Sequence, residues 1–154
     1  MSVPLRNDEP NLSRRDQMTV STAAMSEVPW GASVAAGAVV TGADLLLHLT
    51  TLHLGLGGVG SSLAAGTVAM FSVAGGGVLL RGRASRAIRW ARRNPWQFAV
   101  LPGVATAVVV FVLSVIFGSG GVLGDTFTAL WHGAITYGLT GAAGIFTGRR
   151  EKSR

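Results

Sequence analysis

Hydrophobic residues are concentrated in two long windows of the chain that are almost free of charge. Within residues 28–80 the single charged residue is Asp44, and within residues 94–148 it is Asp125. A membrane-spanning helix needs about 20 consecutive apolar residues, so each window has room for two spans and a short turn. The pattern therefore predicts an all-α integral membrane protein built as a four-helix bundle. The predicted spans cover residues about 33–56, 63–80, 97–117 and 126–147.

Glycine-rich stretches separate or interrupt these predicted spans. Residues 57–62 and 118–121 are rich in glycine and serine, and they predict two turns on the non-cytoplasmic side of the membrane. The run 75–77 consists of three glycines inside the second span, where each costs about 1 kcal/mol of helix stability relative to alanine. We therefore expect a bend or a loosened turn there. Asp125 precedes the fourth span and is predicted to be its N-cap.

Small and polar residues of the first span recur three or four positions apart. That spacing places their side chains on one face of a helix, while apolar residues cover its other sides. The residues of this stripe are Ser33, Gly37, Thr41, Asp44, His48, Thr51 and Gly55. In lipid we expect such a stripe to face neighbouring helices, because small residues allow close packing and polar residues need partners. Small-residue seams in the other spans fit either packing within the bundle or contacts in a homo-oligomer.

The charged residues indicate how the chain is oriented in the cell membrane. Only 13% of the residues are charged, against about 25% in a typical soluble domain. All 13 lysine and arginine residues lie within residues 1–30, 81–93 or 149–154. By the positive-inside rule this predicts that both ends are cytoplasmic, with a disordered tail over 1–30, a basic loop, and a basic tail over 149–154. The same topology accounts for the net charge of +6 without nucleic acid.

The basic loop, residues 81–93, has the composition of an amphipathic cytoplasmic helix. Ala84, Ile88 and Ala91 fall on one face when the segment is helical, with arginines around the remainder. We expect the helix to lie along the headgroup layer with that face toward the lipid. The arginines are Arg81, Arg83, Arg86, Arg89, Arg92 and Arg93. Three roles fit them: contact with anionic lipid headgroups, docking of a cytoplasmic partner protein, and binding of DNA phosphates.

No sequence motif of a known catalytic chemistry is present, so the prediction is a protein that is not an enzyme. The chain has no phosphate-binding glycine loop followed by Lys-Ser/Thr, no zinc-protease motif and no nucleophile elbow. It has no cysteine, which excludes disulfides and thiolate metal sites. No cofactor is predicted.

The best candidate site is a set of polar residues near the non-cytoplasmic ends of the spans. The set consists of Asp44, His48, His53, Asp125 and His132. Asp44 and His48 are neighbours on one helix face, and Thr41 and Thr51 extend that stripe. Both His48 and His132 are predicted to lie about 10 Å below the surface, so they would meet if the first and fourth spans were adjacent. Three interpretations stay open: a polar clasp that fixes helix register, a proton or ion relay, and a weak metal site.

The overall layout resembles a known group of membrane proteins. Small four-span chains rich in glycine and alanine, with arginine-rich loops and an actinobacterial composition, are typical of the plasmid-spread (Spd-type) membrane proteins of conjugative elements. The resemblance covers residues about 28–154 and rests on architecture and composition. It implies a role in the spread of transferred DNA between cells, with a DNA translocase as partner, and it carries over no individual residue.

Three functions are consistent with these observations. The first is a non-enzymatic membrane protein that acts by protein–protein interaction, as an accessory to conjugative plasmid transfer. The alternative is a small channel or transporter component that uses the Asp44 and His48 stripe. The third is a phage-type holin, whose oligomeric pores suit small-residue seams and a basic tail.

Overall fold

The structure, a computed structural model, describes residues 19, 23–51, 55–80, 86–118 and 121–152. The helices in these ranges are α1 (Trp30–Thr50), α2 (Leu56–Leu80), α3 (Arg86–Arg93), α4 (Pro95–Phe117) and α5 (Gly121–Lys152). One further helical turn at 23–25 precedes α1, and no strand occurs within the described ranges. The all-α prediction is confirmed for this part of the chain.

Three of the helices, α1, α2 and α4, are long and apolar enough to cross a membrane. This finding confirms the prediction of helices with the length and hydropathy of membrane spans. α5 is the longest helix, with 32 residues, but it is not one of the three. Threonines, glycines and His132 interrupt its apolar residues.

The four long helices lie side by side and alternate in direction. Gly60 of α2 lies against Phe117 of α4 and Gly75 lies against Pro102, so α2 and α4 are antiparallel. α2 is central, because it packs against α1, α4 and α5, whereas the extensive contacts of α1 are with α2. We call the end at which α1 is followed by α2, and α4 by α5, the hairpin end. The opposite end, which carries α3, is the α3 end.

The α1–α2 pair and the α4–α5 pair each cross at two facing glycines. A Cβ on Gly66 of α2 would lie 2.7 Å from the carbonyl oxygen of Gly37 on α1. A Cβ on Gly133 of α5 would lie 2.8 Å from the carbonyl oxygen of Gly103 on α4. Distances this short leave no room for a side chain, so glycine permits the backbones to approach closely.

The three consecutive glycines at 75–77 do not interrupt α2, which continues as a helix to Leu80. A Cβ on Gly75 would lie 2.7 Å from Cγ2 of Thr140 and 3.2 Å from Cγ of Pro102. A Cβ on Gly77 would lie 2.9 Å from Cγ of Pro29. The glycines therefore admit three neighbouring segments to the surface of α2, and this packing outweighs their low helix propensity.

The first connection is not where the glycine pattern predicted it. α1 ends at Thr50 rather than near residue 56, and α2 begins at Leu56, so residues 57–62 are helical. Within this stretch a Cβ on Gly60 would lie 2.8 Å from Cβ of Phe117. The small residues at this position allow close helix packing, a use of glycine that the sequence pattern does not distinguish from a turn.

The second connection falls between Phe117, where α4 ends, and Gly121, where α5 begins. Gly121 has a φ of +70°, a conformation that glycine adopts without steric cost. Because α5 begins four residues before Asp125, the prediction that Asp125 is the N-cap is wrong. Its side chain instead lies beside α4, where a Cβ on Gly118 would be 3.1 Å from its Oδ1.

α3 packs its apolar side into the protein. Ile88 and Ala91 are fully buried, in a cluster with Val78 and Leu79 of α2 and Phe98 of α4. The prediction that this face lies toward lipid is therefore wrong for Ile88 and Ala91, and Ala84 lies outside the described residues. The neighbouring helix ends offer an apolar surface that buries these side chains more completely than a headgroup layer would.

The segment just before α1 belongs to the same cluster. Ala24 is fully buried and Val28 is 6% exposed, although the sequence assigns both to a disordered tail. That assignment is wrong for these residues, because their side chains cover the apolar cluster at the α3 end. Residues 1–18 and 20–22 of the predicted tail lie outside the described residues.

Candidate functional site

Asp44 lies where α1 packs against α2, and it bonds across that contact. The Ser62 hydroxyl donates to Oδ2 of Asp44 at 2.6 Å. Because a hydroxyl has one hydrogen, the 3.0 Å contact of Ser62 with the carbonyl oxygen of Gly58 is an alternative to this bond. The bond to the carboxylate oxygen is the shorter of the two, and we take it as the one that forms. The contact between α1 and α2 thus contains the kind of hydrogen bond that a polar clasp requires.

His48 is held by its own helix. Its Nδ1 lies 2.9 Å from the backbone oxygen of Asp44 and 3.4 Å from Oδ2 of the same residue. Since a carbonyl oxygen can only accept, Nδ1 carries the hydrogen and Nε2 has the lone pair in the neutral ring. The side chains of His48 and Asp44 are 28% and 33% exposed, so the pair lies at the edge of the α1–α2 contact.

The two threonines of the predicted stripe have different surroundings. Thr41 packs directly on Gly66, where a Cβ would overlap its Oγ1. The Thr51 hydroxyl lies 3.1 Å from the carbonyl oxygen of Leu47 and 3.2 Å from that of His48. Thr41 therefore belongs to the helix crossing, whereas Thr51 bonds within the last turn of α1.

The structure does not bring His132 to His48. His132 lies on α5, on the other side of the central helix α2, and its Nδ1 is 2.7 Å from the carbonyl oxygen of Thr128. The adjacency of the first and fourth helices that would join the two histidines is therefore not present. His53, the remaining histidine of the predicted set, lies outside the described residues.

His132 instead lines a cleft between α2, α4 and α5 at the hairpin end. The cleft has a volume of about 290 Å³. Its polar lining residues are Ser61, Ser114, Asp125, Thr128 and His132. Asp125 is only 9% exposed. The sequence analysis placed Asp125 and His132 in one candidate set but treated Asp125 as a helix cap, so it did not predict this cleft. The spacing of Asp125, Thr128 and His132 by three and four residues indicates that they share one helix face.

The arginines of the basic loop differ in their contacts and exposure. The Nε of Arg92 donates to the carbonyl oxygen of Leu79 at 3.0 Å, which satisfies one of the acceptors left open at the end of α2. Arg89 and Arg93 are exposed on α3. Arg81, Arg83 and the side chain of Arg86 lie outside the described residues. α3 is thus fixed to the long helices on one side and carries exposed arginines on another.

A protein-bound metal usually needs three or more His, Cys, Asp or Glu side chains close together. No such group occurs among the described residues. Two polar groups of residues occur, one around Asp44 and one around Asp125. Each combines one carboxylate and one histidine with hydroxyl groups. This composition favours hydrogen bonding to a polar or charged group over tight coordination of a transition metal.

Comparisons with protein-family models, with curated proteins and with solved structures find no match to this chain.

Proposed function

We propose that this chain is a four-span protein of the cell membrane, with both ends cytoplasmic, and that it acts by docking a cytoplasmic partner protein on α3. The observation that carries the proposal is the attachment of α3. Ile88 and Ala91 are fully buried, and Arg92 bonds to the end of α2. An arginine-bearing helix fixed in this way presents its charges in one geometry, whereas a loose loop would lose conformational entropy on binding.

The geometry of α5 supports a fourth span despite its lower hydropathy. At the α3 end, Trp96 of α4 packs on Gly141 of α5. Gly103 meets Gly133 midway along α4, and Gly118 lies beside Asp125 at the hairpin end. α5 therefore runs beside α4 along the length of α4, and this pairing supports the proposal that α5 crosses the membrane with α4. Its polar side chains suit a helix that faces other helices.

The charge distribution supports cytoplasmic ends. The described arginines of α3 lie at the α3 end, and the last turn of α5, with the basic residues Arg149, Arg150 and Lys152, lies at that same end. The connections at the hairpin end contain no lysine or arginine. Under the positive-inside rule the α3 end faces the cytoplasm.

The partner that fits this surface is an acidic patch on a cytoplasmic protein. Guanidinium groups form paired, charge-assisted hydrogen bonds with carboxylates, which gives geometric specificity as well as attraction. A DNA translocase of a conjugative element is the partner that the resemblance to plasmid-spread proteins suggests. Anionic headgroups would contact the same arginines in the absence of the partner.

A channel that uses the Asp44 and His48 stripe has less support. The stripe lies on one side of α2, and the cleft with Asp125 and His132 lies on the other. Toward the α3 end, the closely packed glycines of α2 and the buried Phe98 and Leu79 fill the space between the helices. The described residues therefore offer no continuous polar path.

Cysteine labelling tests the topology, because the chain has no cysteine of its own. We expect Ser2→Cys and Ser153→Cys to react with a membrane-impermeant maleimide only after the cells are permeabilised. Ser119→Cys, between α4 and α5, should react in intact cells. Labelling of Ser2→Cys and Ser153→Cys from opposite sides would contradict four spans, since three spans place the ends on different sides.

Site-specific photo-cross-linking tests the docking role. A photoreactive residue in place of Arg89 or Arg93 should cross-link to one cytoplasmic protein in the native cell, identified by mass spectrometry. The matched control is the same residue in place of Val104, which is 56% exposed on the lipid-facing side of α4. Arg89→Gln with Arg93→Gln should abolish association with the captured protein, whereas Arg149→Gln with Arg150→Gln, an equal loss of charge, should leave it intact. Cross-links to lipid alone would contradict the proposal.

A further inference from the structure

The cleft at the hairpin end holds a buried carboxylate without a partner. Asp125 is 9% exposed, and its carboxylate forms no hydrogen bond or ion pair within the described part of the chain. A carboxylate that lines a cleft keeps its acceptor sites for a ligand unless the protein itself provides a partner. The helix stretches 55–80, 94–118 and 121–148 contain no lysine or arginine that could supply one.

Two further polar groups of the cleft present acceptors to it, while the hydroxyls of Ser114 and Thr128 can donate or accept. Nδ1 of His132 donates to the carbonyl oxygen of Thr128 at 2.7 Å, so Nε2 keeps a lone pair in the neutral ring. The hydroxyl hydrogen of Ser61 is used by the carbonyl oxygen of Gly58 at 2.8 Å, which leaves only the lone pairs of Ser61 for a ligand. A carboxylate, a ring nitrogen and a hydroxyl oxygen thus surround one space with acceptors, and their natural complement is a positively charged group with several N–H donors.

The size and walls of the cleft narrow the ligand further. A volume of about 290 Å³ is far larger than a bare ion occupies. Apolar carbons of Ala64 and Phe117 and several glycines form much of the wall, and an aromatic ring attracts organic cations as well as carbon groups. The described residues also lack the third ligand that would hold a metal. These features favour an organic ammonium.

We propose that this cleft binds an organic ammonium group through Asp125, with Nε2 of His132 and Oγ of Ser61 as further acceptors. The cleft lies at the ends of helices that are apolar enough to cross a membrane, so an ethanolamine lipid headgroup and a soluble amine can both reach it. The two sources share the ammonium chemistry. Among the described residues, the site is built by α2, α4, Gly118 and α5. It does not depend on which end of the helices is cytoplasmic.

Calorimetric titration of the purified full chain in detergent micelles tests the proposal. The probes are ethanolamine and dihexanoyl-phosphatidylethanolamine, with dihexanoyl-phosphatidylglycerol as the lipid that lacks an amine. Binding of both amine probes, or of the amine lipid alone, supports the site and identifies its source. Binding of neither amine, equal binding of the glycerol lipid, or binding of Zn²⁺ that the amines cannot displace would overturn it.

Two variants of equal charge provide the decisive comparison. Asp125→Asn should weaken binding by at least about tenfold, because the ammonium loses a charge-assisted hydrogen bond. Asp44→Asn removes the same charge on the other side of α2 and should leave binding unchanged. Equal affinity of the Asp125→Asn variant and the wild type would overturn the proposal.

A third variant keeps the test informative should Asp125→Asn fail to fold. Gly124 lines the cleft, and a Cβ there meets nothing within 4 Å. Gly124→Leu should therefore fold and fill part of the cleft, so amine binding should be lost. Gly42→Leu, at an equally open position on α1, is the matched control and should bind as the wild type does. Undiminished binding by Gly124→Leu would place the amine elsewhere.

Discussion

Asp44 and Asp125 occupy comparable positions on the two sides of α2 and have opposite surroundings. Each lies toward the hairpin end, and each is followed on its own helix by a histidine whose Nδ1 contacts the carbonyl oxygen four residues earlier. Asp44 receives a 2.6 Å hydrogen bond from Ser62. Asp125 is more deeply buried and receives no such bond from any residue that the structure describes. One carboxylate is part of a helix contact, and the other faces a cavity.

The difference arises from two adjacent residues of α2. Ser62 is fully buried and directs its hydroxyl to Asp44, whereas Ser61 lines the cleft and donates to its own helix. Neighbouring helix positions are about 100° apart, so one turn of α2 serves both sides. The role of such an acid therefore depends on the facing helix. Where that helix offers a hydrogen-bond donor, the acid is part of the helix contact, and where it does not, the acid is available to a ligand. The position of the acid in the sequence does not distinguish the two cases.

The largest expected effect comes from separating α1 from α2. A Cβ on Gly66 would overlap Oγ1 of Thr41 and lie 2.7 Å from the carbonyl oxygen of Gly37. Since backbone atoms cannot move aside cheaply, Gly66→Ala should lower the free energy of unfolding by about 2 kcal/mol. Gly42→Ala, where nothing lies within 4 Å, should raise it by up to about 1 kcal/mol through helix propensity. Unfolding in mixed detergent micelles measures both.

The same variant separates the two acidic sites. Gly66→Ala displaces the α1–α2 contact that contains Asp44, but the cleft is formed by α2, α4 and α5. Amine binding to the cleft should therefore survive. A loss of binding equal to that of Asp125→Asn would show that the two sides of α2 are not independent.

Removal of each carboxylate in turn should have a smaller and unequal effect. Asp44→Ala deletes the acceptor of a charge-assisted bond, and Ser62 can turn to the carbonyl oxygen of Gly58, so we expect a loss of about 1.5 kcal/mol. Asp125→Ala breaks no hydrogen bond within the described residues and should change stability by less than about 0.5 kcal/mol without ligand. Equal losses in micelles that contain no amine would mean that Asp125 has a structural partner.

Much of the fold follows from the sequence because the bilayer allows few solutions. Apolar windows with one acid each predict helices, since only helices and closed barrels satisfy the backbone in lipid. The positions of glycines are harder to interpret. Gly60 and Gly75 looked like turn or bend residues, and both instead admit a neighbouring helix. Local propensity is the same in the two cases, and only the identity of the neighbour distinguishes them.

The candidate site was predictable to a similar extent. Helical spacing correctly placed Asp44 beside His48 on one face, because that contact lies within one helix. Ser62, the partner 18 residues further along the chain, depends on how α1 crosses α2, which spacing does not reveal. The cleft around Asp125 needs three helices in register, so a one-helix pattern could not indicate it.

The smallest effect distinguishes the two serines that α2 presents to its two sides. Ser62→Ala removes the donor to Asp44 and should lower stability by about 1 kcal/mol, within the modest range of hydrogen bonds between helices in membranes. Ser61→Ala removes a bond within α2 and should change stability by less than about 0.5 kcal/mol. In a double-mutant cycle, Ser62→Ala should couple to Asp44→Ala, because each removes the same hydrogen bond. The effects of Ser61→Ala and Asp44→Ala on the free energy of unfolding should be additive. If both serines showed coupling energies of comparable size with Asp44, Ser62 would not be the single donor to Asp44.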